Sequence, residues 1–118
     1  MFAHRSRTIN RAALNVRPRQ PYADWANSMD DDGPGADLSR LREEPTIYLV
    51  EVVDSLEDFP DLIDKYWQWA FREQLNGWMR HAHLWPERLA REMFLEWSDC
   101  ELSPMIWDML KARIKPAL

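Results

Sequence analysis

The alternation of apolar and polar positions divides the chain into short strand-like runs and longer helix-like ones. In INRAALNVRP, residues 9–18, Ala12, Leu14 and Val16 recur every second residue and Pro18 closes the run, which predicts a first strand. QPYADWANSM follows with Tyr22, Trp25, Ala26 and Met29 at helical spacing, and Pro21 suits a first helical turn. DDDGPGADLS interrupts the periodicity with loop chemistry, and LSRLREE adds a short helical turn. After Pro45, TIYLVEVVD (46–54) carries β-branched and aromatic residues on both faces, the pattern of a strand at the centre of a sheet. Helical periodicity then runs from Leu56 to Asn76, where Asn76-Gly77 reads as a stop. WPERLAREMFLEWSD predicts a further helix with Pro86 in its first turn, and ELSPMIWDML (101–110) returns to period two as a third strand.

This order implies an α+β fold in two layers: a small sheet of about three strands with helices packed on one face. A chain of 118 residues is the size of one domain and buries roughly two thirds of the surface its unfolded form exposes. Residues 1–118 are therefore read as a single domain, with a basic arm at 1–8 and a tail at 111–118 outside the packed part.

The long helix carries more apolar surface than one core face needs. At 100° per residue with Trp67 at zero, Phe59, Ile63, Ala70, Phe71, Leu75 and Trp78 fall within about 80° on one side and form the core face. Trp69 falls near the opposite side, at about 200°, with Leu62 and Tyr66 beside it. This second stripe either packs under another part of the same chain, as large aromatics commonly do, or forms a contact surface for a partner. An aromatic box for a small molecule is a third use. Gln74 lies inside the core stripe, where a buried amide needs hydrogen-bond partners or lines a pocket.

Charge narrows the partner classes. The net charge is −5, yet residues 1–20 hold five arginines and no acid, while residues 24–64 hold thirteen acids against Arg40 and Arg42. Nucleic-acid binding needs a basic groove that displaces phosphate counterions, and Arg5, Arg7, Arg11, Arg17 and Arg19 are the only candidates for one. The acidic remainder argues against it. Cys100 is the single cysteine, so no internal disulfide or cysteine zinc framework can form, which fits a reducing cytoplasm. No run of about 18 apolar residues predicts a membrane span, and the opening lacks the apolar core of a secretory signal.

Candidate chemistry is sparse. His81 and His83, with Glu87 four residues on, form the one metal-like cluster, but their spacing matches no established zinc motif and loop histidines at a helix end account for them. Neither a metal nor another cofactor is expected. Asp30, Asp31, Asp32 and Asp37 do not make an EF-hand loop, because Leu41 occupies the twelfth position where a glutamate is required. A nucleophilic role for Cys100 needs a neighbouring base that the local sequence does not supply. Phosphate-loop, dinucleotide, hydrolase-elbow and zincin motifs are all missing.

RPRQPYADW, REEPTIYLV, NGWMRHAHLWP and MFLEWSDCELSPMIWDML, in that order over about residues 15–110, resemble the blocks of a family of small uncharacterised bacterial proteins. Its members share a PxQPFxxW opening, an EEPTIYL strand, a GW…WP segment and a closing W…MVxDL strand. The resemblance implies a bacterial cytoplasmic protein and carries no activity. Tyr22 stands here in place of the phenylalanine, and Arg80, His81 and His83 follow the GW where relatives carry acids.

The sequence therefore points to a non-enzymatic protein-interaction domain, homodimeric or docking on another protein, with Leu62, Tyr66 and Trp69 as its surface. The alternative is a small enzyme or a ligand- or metal-binding protein with a pocket near the 77–87 loop, built from Gln74, His81, His83 and Glu87.

Overall fold

The computed structural model of the chain describes residues 7–29 and 35–117. Its elements are β1 (Arg7–Thr8), β2 (Ala12–Pro18), α1 (Gln20–Ser28), α2 (Leu38–Glu43), β3 (Thr46–Val50), α3 (Phe59–Trp78), α4 (Arg91–Trp97), β4 (Ser98–Ser103) and β5 (Trp107–Asp108). Single 3₁₀ turns precede α3 at Leu56–Asp58 and follow it at Ala82–Leu84. The fold is α+β: a three-stranded antiparallel sheet with helices against one face, and a two-stranded extension formed by β1 and β5.

β2, not β3, is the central strand, in the order β3-β2-β4. Its register places Leu14 between Tyr48 and Leu102, and Val16 between Thr46 and Cys100, on the face that meets the helices. The small side chains of Ala12 and Ala13 are buried, and the uncharged polar residue inside the strand, Asn15, donates its amide to the Glu101 carbonyl and the Ser103 hydroxyl of β4. The expectation of a central β3 rested on apolar residues on both faces. Ile47 and Leu49 do face away from the helices, but they face solvent, at 56 % and 51 % exposure. Apolar two-sidedness does not separate a central strand from an edge strand whose second face is uncovered.

Other boundaries moved as well. The third strand begins at Ser98, directly off α4, and stops at Ser103 because Pro104 has no N–H to continue the ladder. The chain resumes as β5, which pairs with β1 while the Ile9 amide donates to the Ile106 carbonyl at 3.0 Å. The helix expected from Pro86 starts only at Arg91. Ala90 is extended, and the Trp85 indole donates to the Met79 carbonyl at 2.7 Å, which holds the approach in a loop. Asn76-Gly77 does not stop α3, which runs on to Trp78 before Met79 becomes extended.

α3 supplies most of the helical side of the core. Leu62, Ile63, Ala70, Phe71 and Leu75 are buried, and Trp67 and Trp78 are half-buried against the same cluster. Phe71 meets Phe94 and Trp97 of α4 at ring separations of 5.5 and 5.7 Å, and Trp25 of α1 reaches Trp97 at 6.0 Å. α2 is capped by Asp37, whose carboxylate accepts from the Ser39 amide. Among the described residues, no helix is long and apolar enough to cross a membrane.

Candidate interaction surface beside strand β3

The second stripe of α3 lies along the edge of the sheet, and the structure divides it. Leu62 is buried in its own subunit at 4 % exposure, so it belongs to the core and leaves the surface to Tyr66 and Trp69. A helix crossing the end of a twisted sheet buries a wider arc at one end than at the other, which no ideal wheel anticipates. Trp69 is 63 % exposed and meets Tyr48 of β3 edge-on, with ring centroids 5.5 Å apart and an interplanar angle of 81°. One of its neighbours is therefore a strand residue, and its other face has no cover among the described residues.

Tyr66 is held in place by charge. Its hydroxyl donates to Glu51 at 2.6 Å, and Lys65 donates to the other oxygen of the same carboxylate at 2.6 Å. These two hydrogen bonds, that from Lys65 first, hold the Glu51 carboxyl down at about 2. The same contacts raise Lys65 and Tyr66 above their ordinary values. All three groups lie close to solvent, so the cluster orients side chains more than it stabilises the fold.

Behind Trp69 lies a groove of about 390 Å³, with the buried Leu14 and Ala70 beneath and Tyr48, Val50, Tyr66 and Trp69 around it. Two charged surfaces border it. Past Val50, Glu51, Asp54, Asp58 and Asp61 line a second groove with Lys65 as its only cation. On the other side, Arg7, Arg11, Lys111 and Arg113 line, together with Asp108, a basin of about 650 Å³ that also touches Leu49. Among the described residues β3 is paired on one edge only, with β2, so its other edge presents backbone groups unpaired by them between these surfaces.

Among the residues of the alternative pocket, Gln74 is engaged inside the fold. Gln74 donates from its side-chain amide to the Tyr48 hydroxyl at 2.8 Å, and its carbonyl accepts from the Tyr22 hydroxyl at 2.7 Å. It thus ties α3 to α1 and β3. Burial pushes the Tyr22 phenol up to about 12, with Tyr48 adding to the shift, and burial raises Tyr48 as well. His81 and His83 are exposed with ring centroids 5.8 Å apart, Glu87 is exposed, and no group of three metal-type ligands converges among the described residues. Cys100 is half-buried, and burial followed by Asp99 pushes its thiol up to about 12, opposite to an activated nucleophile.

Of the arginines weighed for nucleic acid, Arg7 and Arg11 share the basin and the others do not line it among the described residues. Arg5 lies outside the described residues, Arg7 approaches Asp108, Arg17 approaches Glu101, and Arg19 approaches Asp99. Asp30, Asp31 and Asp32 also lie outside the described residues.

Sequence reasoning missed Ile47, Leu49 and the basic basin. The first two were signalled by the two-faced apolar pattern of TIYLV, and the third by cations at both ends of the chain, which only the β1–β5 pairing brings together. No family model, no curated protein and no solved structure matches this chain.

Proposed function

We propose that this chain is a non-enzymatic protein-interaction domain of a bacterial cytoplasmic protein, and that its contact surface is the free edge of β3 with Tyr66 and Trp69 of α3 beside it. The observation that carries the reading is Trp69: a tryptophan 63 % exposed, braced by Tyr48, next to an unpaired strand edge. Aromatics of this kind anchor interfaces because a rigid ring buries a large area at little entropic cost. The groups with shifted protonation, Tyr22, Tyr48, Glu51, Lys65, Tyr66 and Cys100, are all accounted for by burial or by partners inside the fold.

The test is light scattering after size exclusion on the wild type and Trp69→Ala, combined with quantitative capture of bacterial proteins on the two immobilised forms. Truncating a central tryptophan at an interface costs about 2 kcal/mol or more, which weakens self-association or a captured complex roughly thirtyfold. Association that is the same in both forms, with both folded, refutes the surface.

A further inference from the structure

The geometry points to a second copy of this chain as the occupant of the β3 edge, paired antiparallel, β3 to β3, about a two-fold axis through Tyr48. This rests on the interaction reading and adds the partner, the register and the symmetry.

Edge strands in stable monomers are blunted by lysine, proline, bulges or an overlying element. Thr46–Val50 contains none of these residues and is a regular five-residue strand. Apolar side chains stand exposed on both sides of its free edge: Ile47 and Leu49 on the outer face, and Trp69 on the helical face.

The strand is also complementary to itself. An axis at Tyr48 sets Ile47 opposite Leu49 of the second copy, and by symmetry Leu49 opposite its Ile47. The exposed side chains of both copies then form one apolar strip across the outer face. On the other face Tyr48 meets Tyr48 of the second copy, with a Trp69 on each flank. The axis serves whichever alternate set of backbone groups points outward, because Thr46 and Val50, like Ile47 and Leu49, are symmetric about residue 48.

Charge favours the antiparallel direction. Arg11 precedes Ala12, the partner of Val50 in the β2–β3 ladder, so the basin of Arg7, Arg11, Lys111 and Arg113 lies at the C-terminal end of β3. Antiparallel pairing brings Glu43 and Glu44 of the second copy, which lead into its β3, to that end, and the two-fold repeats the match at the other. At that end Glu51 has its charge offset by Lys65, while Asp54, Asp58 and Asp61 line the neighbouring groove, so the match is with the basin alone. The product is one six-stranded sheet in the order β4-β2-β3-β3-β2-β4.

Sedimentation velocity on the full chain, from low micromolar to near-millimolar concentration, should show a monomer–dimer equilibrium. Leu49→Lys should weaken it at least tenfold while circular dichroism and the urea midpoint stay at wild-type values. The register is tested in a Cys100→Ala background. Mild oxidation of a mixture of Ile47→Cys and Leu49→Cys should cross-link one to the other, since directly opposed Cβ atoms lie about 5 Å apart. Either variant alone should stay monomeric on a denaturing gel, its own pair being offset by two residues at about 7–8 Å. A wild type that is monomeric throughout overturns the proposal. If it still captures a foreign protein through Trp69, the edge serves another chain's segment and the interaction reading survives. A dimer that is weakened by Trp69→Ala, ignores Leu49→Lys and fails to cross-link overturns the register alone. A monomer with no Trp69-dependent partner removes both readings.

Discussion

Gln74 offers the sharpest separation of the two function classes, because a single amide either belongs to the fold or is held ready for a ligand. Its side chain donates to the Tyr48 hydroxyl at 2.8 Å, and both residues are half-buried. Gln74→Met keeps the length of the side chain and removes the donor. A neutral hydrogen bond contributes about 1 kcal/mol net, and partial access of water to the orphaned hydroxyl keeps the cost near that value. Tyr48→Phe orphans the amide instead and should cost about the same. In the double variant neither group is left waiting for the other, so the loss should fall short of the sum by about 0.5–1 kcal/mol. Urea unfolding followed by fluorescence of the seven tryptophans measures all four corners of the cycle. An independent readout is available, since the bond from Gln74 lowers the Tyr48 phenol against the upward push of burial. Removing it should move the Tyr48 titration to higher pH. Losses that add to within about 0.3 kcal/mol, with an unmoved phenol, would refute the structural assignment and return Gln74 to the ligand-binding reading.

Two further outcomes follow from burial. Tyr22 keeps its proton in the folded state up to about 12 but releases it near 10 when unfolded, so its contribution is complete below pH 10 and is lost as pH rises towards 12. Two pH units correspond to about 2–3 kcal/mol for this buried group, and Tyr22→Phe should flatten the alkaline limb of urea midpoints by that order; the thiol of Cys100, raised in the same range, cancels in the difference. Phe71→Ala should cost about 3–5 kcal/mol because its ring is fully buried between Phe94 and Trp97. Trp69→Ala, losing mainly the contact with Tyr48, should cost about 1–2 kcal/mol. Chemical denaturation ranks the two, and a greater loss at Trp69 would mean that its ring is covered within the subunit.

Local pattern located the elements well where apolar spacing is regular. The core stripe of α3, the alternation of β2 and the helical turn after Asp37 all follow from residues within a few positions of one another. Boundaries went astray where individual contacts outside the periodic pattern decide. Trp85 holds its loop through the Met79 carbonyl, and Pro104 divides one expected strand into two that meet the β2 and β1 stretches separately. The candidate surface was half legible: Trp69 stood out by its angle on the helix, while Leu62 at a similar angle is buried.

The sequence by itself determined that the chain has one core's worth of apolar surface, an α+β order of elements, an uneven charge and a tryptophan off the core face. These depend on composition and on periods of two and 3.6 residues, which are local properties. Only the tertiary structure decided that β2 is central and β3 an edge, that Gln74 is tied to Tyr22 and Tyr48, and that cations from both ends of the chain share one basin. Strand order and side-chain partnership are choices among pairings of nearly equal local quality. They are made by how all the elements bury one another at once, and that information is not held in any single stretch of the chain.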